Sequence, residues 1–163
     1  MFGFHKINKP DKVIENELGT FTVKYIGDEP VYYSGQAVRS GKNNSILAFV
    51  YCVGKKKRVD KGFARLSELV GGSAELDNRL RKYSLDYAAE NFSIGDGLIA
   101  FGDANAAAFT RLEFLERICV YSVEVSEDES VSFYVDLDEM FEENEFALSV
   151  DKDGNITGCE LQV

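Results

Sequence analysis

Residues 119–163 contain four runs in which apolar and polar residues alternate. Cys119, Tyr121, Val123 and Val125 flank Ser122 and Glu124. Val131, Phe133, Val135 and Leu137 flank Ser132, Tyr134, Asp136 and Asp138. Phe146, Leu148 and Val150 flank Ala147 and Ser149, and Cys159, Leu161 and Val163 flank Glu160 and Gln162. A period of two sends successive side chains to opposite faces, so each run predicts a strand with one apolar face. Glu127-Asp128-Glu129-Ser130 and Asp151-Lys152-Asp153-Gly154-Asn155 carry turn chemistry between strands. Four strands on short loops make an antiparallel meander with one apolar and one polar face. On this reading Cys119 and Tyr121 face the core, and Tyr134, Asp136 and Asp138 share the polar face.

Upstream of the meander the period changes. Thr110-Arg111-Leu112-Glu113 matches a capping box and opens a short helix to Arg117. Leu76, Leu80, Tyr83 and Tyr87 form a helical stripe, with Ser73 as N-cap, Glu75 and Asp77 in the first turn, and an end near Phe92. Phe63, Leu66 and Leu69 place another helix over Asp60–Val70, stopped by Gly71-Gly72. Segment 93–108, rich in Gly, Ala and Asp, reads as loop with a short apolar piece at Leu98–Phe101. Near the start, Leu18–Ile26 alternates as a first strand. Gly27-Asp28-Glu29-Pro30 turns into Val31–Val38, where Gly35 suggests a bulge. Ile46–Val53 follows the turn Gly41–Asn44 and is nearly all apolar, as expected of a central strand covered on both faces. The pattern predicts α+β: an antiparallel sheet with a C-terminal four-strand meander and two or three helices on one face. Residues 1–12 read as an N-terminal arm and 13–163 as a single domain.

The 163 residues are 45% hydrophobic and 28% charged, enough apolar material for one core and too little for a membrane span. The net charge of −10 is unevenly spread: 12 Lys/Arg against 7 Asp/Glu in residues 1–70, and 6 against 21 in 71–163. An acidic half repels nucleic-acid phosphates and attracts basic partners. Three cysteines, Cys52, Cys119 and Cys159, have no paired spacing and fall in strand-like runs. They predict buried, reduced thiols and a cytoplasmic location. The N-terminus has no apolar core of signal-peptide length.

Chemical motifs are few. Asp151–Asn155 begins like a calcium loop, but Ile156 stands where the loop needs Gly and Gln162 where it needs a bidentate Glu, so a hairpin turn is the better reading. Gly95-Asp96-Gly97-Leu98-Ile99-Ala100 fits a loose dinucleotide pattern without the preceding strand and following helix that pattern requires. Lys55-Lys56-Lys57-Arg58, with Lys61 and Arg65, is the one basic cluster. It lacks aromatic interleaving and reads as a solvated loop more than a nucleic-acid site. His5, in the arm, is the single histidine, which excludes a multi-histidine metal site and leaves no stable partner for a nucleophile. Asp136, Asp138 and Glu139 could hold a hard cation, yet a solvated strand end accounts for them more simply. No cofactor is expected.

Glu17-Leu18-Gly19-Thr20-Phe21-Thr22, Arg111–Ile118, Phe133-Tyr134-Val135-Asp136, Phe141 and Leu148–Ile156 together resemble an uncharacterised bacterial domain family, over residues 17–26 and 76–163. The shared motifs are structural, and the family carries no established catalytic residue to transfer. In overall character the chain is similar to the immunity proteins of bacterial toxin systems, which are small, cytosolic and usually acidic. That resemblance implies a binding protein, not an enzyme, that neutralises a cognate toxin with a basic surface, such as a nuclease. The expected partner surface is Tyr134, Asp136, Asp138, Glu139, Glu142 and Glu143. The alternative is a small-ligand-binding or carboxylate-dependent enzyme domain working near the 93–108 loop.

Overall fold

Two antiparallel meanders lie side by side in one sheet. The computed structural model describes residues 12–39, 45–51, 56–71, 74–102, 107–141 and 144–163, with the backbone alone for 56 and 57. The first meander is β1 (Val13–Asn16), β2 (Gly19–Ile26), β3 (Glu29–Val38) and β4 (Ser45–Tyr51). A crossover follows: α1 (Lys56–Val70), α2 (Glu75–Asn91), a small hairpin β5 (Ile99–Ala100) and β6 (Ala108–Phe109), and α3 (Arg111–Arg117). The second meander is β7 (Cys119–Val125), β8 (Val131–Asp136), β9 (Glu145–Val150) and β10 (Ile156–Gln162). The order across the eight-stranded sheet is β1-β2-β3-β4-β7-β8-β9-β10. Every pair is antiparallel except β4–β7, which runs parallel from Leu47 opposite Ser122 to Val50 opposite Val125. A parallel pair needs a long crossover, and the helices supply it.

The helices cover one face. Beneath them lie Phe21, Tyr33, Ile46, Ala48, Val50, Val120, Val123, Val125, Phe133, Val135, Phe146 and Leu148, all buried. Helix α1 packs on β4 and β7, α2 on β7, β9 and β10, and α3 on α2. Gly62 lets α1 come close, since a Cβ there would sit 2.6 Å from Val50 Cγ1. In α2 the buried line is Leu80, Ser84 and Ala88, and Ser84 Oγ satisfies itself by donating to the Leu80 carbonyl at 2.8 Å. Under α1, Phe63 meets Phe21 and Tyr33 edge-on, with ring centroids 4.9 and 5.9 Å apart. Under α2 and α3, Phe146 meets Tyr87, Phe92, Phe101 and Phe114. Arg39, just past β3, fastens the layers. Its guanidinium donates to Asp77 of α2 at 2.9 Å and to the Val120 carbonyl of β7 at 2.6 Å.

The expected α+β architecture is the one observed, including the C-terminal meander and the helices on one face. The capping box of α3 is formed: Glu113 N donates to Thr110 Oγ1 at 3.1 Å and Thr110 N to Glu113 Oε2 at 2.7 Å. The turn at 151–155 is a hairpin between strands, with Asp151 Oδ1 accepting from the amides of Asp153 and Asn155 at 2.9 Å. These bonds, the Asn155 amide above all, hold the Asp151 carboxyl below the usual aspartate range.

Several expectations are corrected. The first strand is β1, ahead of the run beginning at Leu18, because Val13–Asn16 pairs back onto Gly19–Thr22. Helix α1 starts at Lys56, not Asp60, so Lys56, Lys57 and Arg58 are helical and not loop, while Lys55 lies outside the described residues. The N-cap of α2 is Ala74, without a side-chain cap, and Ser73 lies outside the described residues. Gly35 keeps register with Ala48; glycine is needed because the Thr20 carbonyl would lie 2.3 Å from its Cβ. The register shift between β2 and β3 falls instead at Lys24/Tyr25. The 93–108 segment holds the β5–β6 hairpin. As expected, Gly95–Gly97 is not a strand-to-helix loop; it forms a 3-10 turn between α2 and β5.

Two corrections bear on function. A bulge between Val120 and Ser122 reverses the phase of β7, so Val120 is buried while Cys119 and Tyr121 are exposed. The run from Ile46 is central in the sheet but covered on one face only. Ile46, Ala48 and Val50 are buried under the helices, and Leu47, Phe49 and Tyr51 are half-buried on the opposite side. Cys52 and Val53, expected to continue it, lie outside the described residues.

Candidate functional site

Among the described residues the helices leave the other face of the sheet uncovered, and its rows can be read from the register. One row runs Ser34, Phe49, Glu124, Ser132 and Ser149 across β3, β4, β7, β8 and β9. The next runs Gln36, Leu47, Ser122, Tyr134, Ala147 and Glu160. A third aligns Cys119, Asp136, Glu145 and Gln162. Strands β7–β10 thus present Glu124, Asp136, Glu145 and Glu160 outward and contain no Lys or Arg. Among the described residues none of these four carboxylates pairs with a cation. Asp136 and Glu145 sit directly opposite one another, a like-charge pairing that costs roughly 0.2–1 kcal/mol in a sheet.

Tyrosine hydroxyls lie among these acids. Tyr134 donates to Glu124 Oε2 at 2.8 Å, and the bulged Tyr121 donates to Glu145 Oε2. Burial first, then these hydrogen bonds and the surrounding carboxylates, raise both phenols above the ordinary tyrosine range. Where the meanders meet, Tyr32 stands beside Phe49 and Tyr51, with centroids 5.5 and 5.4 Å apart and interplanar angles of 77° and 54°. Tyr51 is likewise raised, by burial and then by the charge of Glu124.

The expected partner residues divide. Tyr134 and Asp136 share the open face, but the alternation stops there. Strand β8 ends at Asp136, and left-handed backbone at Asp138 (φ 46°) and Glu139 (φ 56°) turns the chain while Leu137 and Met140 stay buried. Asp138 is therefore off the polar face and faces Arg117 of α3, with Nε to Oδ2 at 2.8 Å. Glu142 and Glu143 lie outside the described residues. The residues that reading missed are Tyr32, Phe49, Tyr51, Glu124 and Tyr121; Glu145, expected to carry the charge into the loop, opens β9 on the same face. Phe49 and Tyr51, two apart, were legible as a shared face. The bulge that exposes Tyr121 leaves no mark on the alternation.

Other chemistry has less to stand on. No three His, Cys, Asp or Glu side chains could hold a metal ion together among the described residues. Arg58 pairs loosely with Glu127 at 3.4 Å. His5 and Cys52 lie outside the described residues. Cys119 and Cys159 are free; Cys119 is exposed, against the expectation of burial, and Cys159 is half-buried, its thiol pushed up to about 12 by desolvation and then by Glu160. No described helix is long and apolar enough to cross a membrane. No protein-family model, curated protein or solved structure matches the chain.

Proposed function

We propose that this protein is an immunity-type binding protein, cytoplasmic, which neutralises a cognate toxin domain by covering a basic surface of it with the open face of the sheet. The observation that carries the reading is the outward array Glu124, Asp136, Glu145 and Glu160 on strands that hold no basic residue. Four carboxylates on one sheet face, without a cationic partner among the described residues, set up a field that draws in a cationic surface and raises the association rate. Such a partner also relieves the Asp136–Glu145 repulsion, which the free protein carries. Tyr134 and Tyr121 add amphipathic rings, the kind of residue that anchors protein interfaces. The similarity in size and acidity to toxin-neutralising proteins gives the partner its class.

The test uses a candidate toxin encoded beside this gene. Asp136→Lys with Glu145→Lys, checked for folding by circular dichroism, is expected to lower the association rate about tenfold or more at low salt, and to flatten its salt dependence. An unchanged rate and salt slope would remove this face as the interface.

A further inference from the structure

The four outward acids are not equivalent. Asp136 and Glu160 are exposed, and Glu145 is half-buried under the Tyr121 hydroxyl. Glu124 alone is placed at the seam where the acidic meander meets aromatic residues. It lies opposite Phe49 across the parallel β4–β7 pair, and the Tyr134 hydroxyl fixes one of its oxygens. Phe49 lies beside it across the seam, Tyr51 follows two residues on along β4, and Tyr32 packs on both rings from β3, all three half-buried and steeply inclined to one another. No covering layer packs on these rings among the described residues, since the helices lie on the other face. Among the described strand residues, Lys24, opposite Tyr32 on β2, is the nearest outward cation in strand order, and three strand spacings, about 14 Å, separate β2 from β7.

We propose that Tyr32, Phe49, Tyr51 and Glu124 form an anchor site at the β4–β7 seam for a single arginine side chain of the partner, its guanidinium packed on the rings and paired with the Glu124 carboxylate. This rests on the reading of the open face as the docking surface for a basic protein, and it names the side chain that surface grips. Arginine suits the site better than lysine because its planar, weakly hydrated guanidinium stacks on an aromatic ring and hydrogen-bonds a carboxylate at the same time. A lysine ammonium would satisfy the charge but not cover the rings. The Tyr134 hydroxyl acts as a positioning group, fixing one Glu124 oxygen from the β8 side, and Tyr51 feels that charge. The partly desolvated setting makes the contact stronger than an exposed ion pair.

Capped Gly-Arg-Gly, Gly-Lys-Gly and Gly-citrulline-Gly, and an octalysine peptide, are titrated into the full chain and followed by amide chemical shifts in NMR. The arginine peptide is expected to shift Phe49, Tyr51 and Val123–Val125, to bind several-fold more tightly than the lysine peptide, and to lose about tenfold on removal of the charge (citrulline) or in Glu124→Gln. Tyr51→Leu, a second variant that keeps apolar bulk, is expected to weaken arginine but not octalysine binding. Arginine shifts that centre on Asp136 and Glu145 and survive Glu124→Gln overturn the anchor site while leaving the acidic docking face in place. No shift on the open face with either the arginine peptide or octalysine overturns both.

Discussion

The two meanders share a plan of four antiparallel strands with one face under helices, yet they differ in what each face carries. On the covered side, the first meander buries Phe21 and Tyr33 against one helical ring, Phe63. The second gathers Tyr87, Phe92, Phe101 and Phe114 around Phe146. On the open side, the first shows Thr, Ser, Tyr and Phe with Lys24, and the second shows carboxylates without a cation. Stability is thus concentrated beneath the acidic half, which is where repulsion on the outer face must be tolerated. Burial on one side of a strand offsets like charges on the other, because the two sets of side chains never meet.

The largest expected effect compares the cores. Phe146→Ala removes a fully buried ring at the centre of four others and should cost about 3–5 kcal/mol, and Phe63→Ala, at the helix edge of a smaller cluster, should cost less. Chemical denaturation with unchanged slopes decides it, and an equal or reversed ranking breaks the asymmetry. Next is the clamp between the halves. Arg39 and Asp77 are 10% and 17% exposed, and Arg39 also holds the Val120 carbonyl. Arg39→Ala should cost about 2–3 kcal/mol, with faster hydrogen exchange at Val120 than in β9. A loss within experimental error would mean that the β4–β7 ladder and packing hold the halves without the clamp.

The smallest effect is on ionisation. The folded phenols of Tyr121 and Tyr134 lie above their unfolded values, so their contribution to stability is complete below about pH 10 and is lost as pH rises through the folded values. Ultraviolet titration should show Tyr121 and Tyr134 ionising late, with Tyr51 also above the ordinary range, and Glu124→Gln should bring Tyr134 and Tyr51 earlier without moving Tyr121. If Tyr121 moves with Tyr134, the acids act as one diffuse field and not as separate hydrogen-bonded partners.

Much of the fold was legible in the sequence because its signals are local. Thr110 and Glu113 announce their cap three residues apart, Asp151–Asn155 announces its turn, and β8 and β9 alternate without interruption. What was not legible depends on neighbours in space. The Tyr121 bulge inverts β7 because Val120 and Ser122 pair with successive residues of β8, a fact about β8 as much as β7. Ile46–Val53 looked covered on both faces because Leu47, Phe49 and Tyr51 are apolar. Phe49 and Tyr51 are instead shielded by Tyr32 from the adjacent strand, which composition cannot reveal. Of the expected partner surface, Tyr134 and Asp136 are together on one face, whereas the left-handed residues after β8 take Asp138 away.

The single parallel pair concentrates the topological cost of the chain in one place. Hairpins within each meander join residues near in sequence, so they close short loops. Joining β4 to β7 must close the whole crossover of helices, and closure entropy rises with loop length. Tyr51 and Glu124 belong to different hairpin systems and become neighbours only across that join. Neither meander alone sets Phe49 and Tyr51 beside Glu124 at the seam, so the surface that unites them is a property of the completed chain.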